Sequence, residues 1–128
     1  MRELKVGDGE RDKILISRYQ GKLYAVGAYC SHFGAPLSQG VLFDDKVLCP
    51  YHAAGFSVVT GAVNNAPGLD GIPKYDIIQD QDRFYAMVPE KLHHTKPLPL
   101  AKRDPADKKN FVIIGGGAAG LNCSETLR

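Results

Sequence analysis

"YCSHFGAPL", residues 29–37, places a thiol and an imidazole two positions apart, between a hydrophobic run and a Gly-Ala-Pro turn. One Cys-x-His pair decides little, because a free cysteine packs readily as a small apolar side chain. A second pair follows in "LCPYHAAGF", residues 48–56, where Cys49 and His52 lie three positions apart. Sixteen residues separate His32 from Cys49. Metal ligands gather in short loops of this kind, flanked by Gly and Pro. Cys30, His32, Cys49 and His52 therefore read as the four ligands of one metal centre.

Composition narrows the setting. The chain has 128 residues, 44% of them apolar, and a net charge of +2. That is enough for about one domain with some chain to spare. No apolar run approaches the roughly 20 residues that span a bilayer, and the N-terminus lacks a basic-then-apolar leader. An organelle address on a longer form of the protein would not be visible. Three cysteines are too few for a disulfide framework, which fits cysteines occupied by metal or an intracellular, reducing compartment, cytoplasmic or mitochondrial. The small charge gives no reason to expect a nucleic-acid partner.

Three pieces follow one another. Over residues 1–90 the apolar residues come in short runs: "KILIS" (13–17), "KLYAVG" (22–27), "KVLC" (46–49), "FSVVT" (56–60), "YDII" (75–78) and "RFYAMV" (83–88). The turns "GDGE", "YQGK", "FDDK" and "QDQD" separate them. This pattern predicts a small antiparallel β domain without a long helix. Residues 91–110 carry Pro97, Pro99 and Pro105 with six Lys or Arg against two Asp. Proline stiffness and charge make that stretch a linker. His93 and His94 fall in it as solvated histidines, since adjacent side chains on extended chain point opposite ways.

The third piece, residues 111–128, reads "FVIIGGGAAGLNCSETLR". An apolar strand over 111–114 runs into Gly115-x-Gly117-x-x-Gly120 and then a helical pattern. Glycines at these positions allow a tight turn, close approach of backbone to a pyrophosphate, and close packing of helix on strand. The flanking strand and helix are the context that makes the fingerprint credible. The acidic residue expected about 20 positions further on would fall past Arg128. The piece therefore reads as the opening of a dinucleotide domain. Its strand is of the central, parallel type that needs neighbours on both edges, so residues 111–128 are expected to pack on another chain or copy. Cys123 reads as a small packing residue, and the Asn-Cys-Ser acceptor pattern at Asn122 as incidental.

Spacing also bears on the metal. Zinc loops usually supply two like ligands each, whereas each loop here supplies one Cys and one His. A structural zinc module stays open as an alternative. Two unlike iron ions, one with both thiolates and one with both imidazoles, suit mixed loops better. Replacing two anionic thiolates by neutral imidazoles would raise the potential of an iron–sulfur cluster.

Cys30-x-His32 and Cys49-Pro50-x-His52 resemble the two boxes of Rieske [2Fe-2S] domains. The resemblance extends to "GAPLSQG" (residues 34–40) and to "PGLDGIPKYDI" (67–77), which is similar to the proline loop over the cluster in that family. With the flavoprotein-like "FVIIGGGAAGL", the order of motifs resembles the apoptosis-inducing factor-like type 3 flavoproteins and related Rieske-containing NAD(P)H reductases. The resemblance implies a mainly β fold: a Rieske-type antiparallel β-sheet domain (1–90), a linker (91–110) and the first βα unit of a Rossmann-like FAD-binding domain (111–128). It implies a [2Fe-2S] cluster, FAD and NAD(P)H in the full-length oxidoreductase, and a flavin domain as electron partner. No side chain is assigned as acid, base or nucleophile. The Rieske part of an aromatic-ring dioxygenase system is the other reading, though such an oxygenase would continue into a mononuclear iron site.

Departures from the family pattern imply a low potential. The extra, disulfide-forming cysteines of respiratory members are replaced here by Ala35 and Tyr51, and Ala54 and Phe56 offer no hydroxyl to cluster sulfur. Fewer hydrogen bonds to sulfur leave the reduced cluster less stabilised. Rieske domains also usually open with a strand before the region that "MRELKVG" resembles, so the chain is expected to begin inside the domain.

Overall fold

The computed structural model describes residues 1–68, 70–93 and 104–127. The chain divides into two compact units, Met1–Pro97 and Leu98–Arg128. His94 and half of the linker, residues 94–103, lie outside the described residues.

Among the described residues the first unit has nine strands: β1 (Arg2–Lys5), β2 (Lys13–Tyr19), β3 (Lys22–Gly27), β4 (Val41–Phe43), β5 (Lys46–Leu48), β6 (Gly55–Ser57), β7 (Val63–Asn65), β8 (Lys74–Asp80) and β9 (Arg83–Met87). They form a five-stranded sheet in the order β1-β2-β3-β8-β9 and a four-stranded sheet in the order β4-β5-β6-β7, with every pairing antiparallel. The smaller sheet is inserted between β3 and β8, so the two ligand loops leave different sheets. One 3₁₀ turn, Leu37–Gln39, ends the first of them.

Alternation sets the layers. In β2, Leu15 faces the main core while Ile14 and Ile16 face the other side of the sheet, as a period of two requires. The main core joins Leu15 and Val26 of the large sheet to Val47 and Phe56 of the small one, and both Cys30 and Cys49 belong to it. Phe56 is fully buried, a burial that contributes about 1.5–3 kcal/mol. Ile14, Ala25 and Tyr75 form a second cluster on the opposite face, with Leu92 packed against it.

Each of the six expected runs coincides with a strand, β3 end for end and the other five with shifted ends. The run over 56–60 stops at Ser57 because that hydroxyl accepts from the amides of Val59 and Thr60, 3.2 Å each, and donates to Asp45 at 2.9 Å. Such local bonds turn the chain out of a ladder. Strands β1, β4 and β7 were not legible. Arg2–Lys5 carries a single apolar residue in an edge position, and Val63–Asn65 holds two asparagines, joined to β6 across a bulge.

In the second unit the expected helix forms, α1 (Ala118–Leu127). The expected strand over 111–114 does not: Val112 and Ile114 are 88% and 96% exposed. A parallel strand exists only through its hydrogen-bonded neighbours, and the described residues supply none for it. Cys123, expected to pack, is exposed. No helix among the described residues is long and apolar enough to cross a membrane.

Candidate metal centre

The two ligand loops share one hydrogen-bonded frame. In the first, the Cys30 amide donates to the carbonyl of Ala35 at 2.9 Å, and the Gly34 amide donates to the carbonyl of Cys30 at 2.8 Å. In the second, the Cys49 amide donates to Ala54 at 2.9 Å and the Ala53 amide to Cys49 at 3.1 Å. The residue four places after each cysteine is left-handed in both, Gly34 at φ 71° and Ala53 at φ 58°. Glycine adopts that conformation freely, whereas alanine does so under strain. The frames differ in where the imidazole sits: two places after Cys30 and three after Cys49.

This arrangement separates the four side chains into two pairs. Both thiols are buried, at 4% and 6% exposure. His32 is half-buried and His52 exposed, with ring centroids 5.1 Å apart and planes at 76°. Burial pushes the Cys30 thiol above its ordinary value, and the neighbouring Cys49 thiol adds to this, while the backbone amides of His32 and Phe33 act in the opposite direction. All three cysteines are free. Among the described residues no three His, Cys, Asp or Glu side chains converge on one point suited to a single metal ion.

Neighbouring groups shape the rim. Phe33 lies edge-on to His32 at 4.3 Å and tilted to His52 at 6.0 Å, and is itself exposed. Tyr51 is exposed and stands edge-on to His52 at 6.3 Å. Ala35, Ala54 and Phe56 are buried. Ser31 Oγ donates to the carbonyl of Asp70 at 2.6 Å, tying the first loop to the segment expected to cover the centre. Leu69 of that segment lies outside the described residues.

Arg11 and Ser31 were not singled out by sequence reasoning. The Arg11 guanidinium stacks on Tyr29, 4.6 Å from the ring centroid, and a Cβ at Gly34 would meet its Nη2 at 2.7 Å. No motif marks such a contact, because Arg11 precedes β2 while Tyr29 follows β3.

The fingerprint glycines lie in the second unit. Gly115 has φ 114°, and a Cβ on Gly120 would run into the carbonyl oxygen of Gly115. Positions over Gly115 and Gly117 are open, and the Leu121 amide donates to Gly117 at 3.0 Å as α1 begins.

The family model described as the Rieske [2Fe-2S] domain matches residues 1–76. Apoptosis-inducing factor 3 of Homo sapiens is 36% identical over 135 residues, covering 100% of this chain and 22% of that protein. The chain thus spans about a fifth of the length of that curated relative. The 3-phenylpropionate/cinnamic acid dioxygenase ferredoxin subunit of Photorhabdus laumondii is 33% identical over 79 residues, covering 61% of this chain and 75% of that one. The solved ferredoxin of carbazole 1,9a-dioxygenase from Nocardioides aromaticivorans IC177 superposes with a TM-score of 0.59 at 28% identity, covering 66% of this chain and 81% of that one.

Proposed function

This chain belongs to the Rieske [2Fe-2S] domain family, and from that premise we propose that it is a one-electron relay, the N-terminal module of an FAD-containing, NAD(P)H-dependent oxidoreductase. The observation that carries the reading is the pairing of two buried thiols with two more exposed imidazoles, His32 half-buried and His52 exposed, on loops of one shared frame. That donor set fits a [2Fe-2S] cluster: Cys30 and Cys49 would hold one iron, His32 and His52 the other. Bound there, the cluster supplies a reversible one-electron centre, with a potential raised by its neutral imidazole ligands.

The protein's own residues do the rest. Core packing around Cys30 and Cys49 keeps water from the thiolates. His32 and His52 carry the iron they would bind to the surface, where electrons leave or enter. The Ser31–Asp70 bond holds the covering segment to the first loop. FAD is assigned to Gly115, Gly117 and Gly120, supported by the close approach of Gly120 to Gly115 and the open backbone over Gly117. The flavin domain is then the electron partner, and residues 111–114 pack within it or on another chain. An intracellular, reducing setting, cytoplasmic or mitochondrial, suits these free thiols.

Dithionite reduction of the purified chain tests the reading. The expected result is visible absorption that bleaches, with the electron paramagnetic resonance signal of a reduced [2Fe-2S] centre. Colourless protein holding zinc would overturn it. Because ligands from both loops are needed, Cys49→Ala should lose the signal and unfold at lower denaturant. A Cys49→Ala protein that kept its cluster would remove that residue from the ligand set.

A further inference from the structure

Arg11 touches both ends of the first ligand loop without belonging to it. Its guanidinium lies over the ring of Tyr29, the residue before Cys30, at 4.6 Å. Its Nη2 also abuts Gly34, whose amide donates to the Cys30 carbonyl at 2.8 Å. Any side chain at Gly34 would displace the guanidinium. Tyr29 is anchored in turn, its hydroxyl donating to the Glu10 carbonyl at 3.3 Å and its backbone bridging to Pro36. The chain just before β2 and the loop after β3 are therefore joined through the Arg11 guanidinium as well as through the Tyr29–Glu10 bond.

A guanidinium stacked on an aromatic ring is held in place by its flat face. A fixed positive charge next to a redox group favours whichever state is more negative. A one-electron-reduced cluster carries one more negative charge than the oxidised form, so the charge favours reduction. Solvent screens an exposed arginine, and Glu10 and Asp12 flank it in sequence. Both reduce the size of the effect. Removing the cation still changes the field in one direction.

We propose that Arg11 is a positioning residue of the cluster loop: it clamps Tyr29 to Gly34 from outside, and its charge raises the reduction potential of the cluster. This rests on the assignment of the cluster to the two loops. The test uses the full chain with Arg11→Met, Arg11→Gln and Arg11→Lys, each read by midpoint potential and by the rate of cluster loss to a chelator. Wild-type protein without a cluster would refute the assignment itself and is seen before any variant is made. With the wild type loaded, Arg11→Met and Arg11→Gln are expected to shift the midpoint downward and lose cluster faster. Arg11→Lys, which keeps the charge but not the flat stack, is expected to keep the midpoint while losing cluster faster. A lysine variant shifted as far as the methionine one would overturn the electrostatic half. Wild-type rates of cluster loss in all three would overturn the clamp. If Arg11→Met does not load, Arg11→Gln and Arg11→Lys decide the two halves by the same readouts.

Discussion

Ala53 occupies the left-handed region at φ 58° in the second ligand loop, where its counterpart in the first loop is Gly34. An L-residue there is destabilised by about 1–2 kcal/mol, partly offset in glycine by its larger entropy loss on folding. Ala53→Gly is therefore expected to raise stability by up to about 1 kcal/mol, and Ala53→Val to lower it, both read from urea midpoints. A second residue of note is Ser17, whose hydroxyl is buried and has no hydrogen-bond partner among the described residues. Leaving such a group unpaired costs about 1–3 kcal/mol. Ser17→Ala should leave the domain as stable as before or more so, and a clear loss of stability would reveal a hidden partner for the hydroxyl.

At the scale of elements, the ligand loops set the potential. Ala54 and Phe56 bring no hydroxyl to the second loop or the strand after it, so the midpoint is expected near the low end of the family range, roughly −150 mV. Ala54→Ser should raise it, as measured by a dithionite titration, and a wild-type midpoint well above zero would contradict this account. Phe56→Tyr, which would also add a hydroxyl, is a poorer probe. The tip of that ring lies 3.1 Å from the Cβ position of Gly68, so a hydroxyl there would press on the covering segment.

Strand β8 carries a different pH sensitivity. Burial pushes the Tyr75 phenol above its ordinary value of 10.0. Below that value it is neutral in folded and unfolded chains alike. As pH rises past it the unfolded chain ionises first, so stability falls. Tyr75→Phe should lessen the loss of stability between neutral pH and about pH 11, as compared by urea unfolding at the two values.

For the molecule as a whole, the division into Met1–Pro97 and Leu98–Arg128 makes a direct prediction. A chain ending at Pro97 should keep the melting transition of the β domain and the cluster signal of the full chain. It should also remain monomeric at concentrations where the longer chain associates, because it lacks the exposed Val112 and Ile114. Equal association of both forms, measured by light scattering, would detach the apolar tail from any role in packing on another chain or copy.

The ligand pairs, the strand runs and the glycine turn were legible because each depends on neighbours within a few residues. Cys30-x-His32 and Cys49-Pro50-x-His52 are local spacings, and alternation in Lys13–Tyr19 declares its own buried face. Strands such as Arg2–Lys5 and Val63–Asn65 exist only through their partners β2 and β6, so their residues carry no signal of their own. Residues 111–114 are the reverse case, strongly strand-like by composition yet without a sheet. The thiols lie inside and the imidazoles outside because two sheets meet over a shared core. Arg11 reaches Tyr29 and Gly34 because β2 and β3 pair antiparallel, which sets the chain before β2 beside the loop after β3. Sequence by itself determined which residues are chemically able to form the centre. Tertiary structure decided which side chains are withdrawn from water and which charge stands beside them, since burial and Coulomb interactions depend on distance in space rather than along the chain.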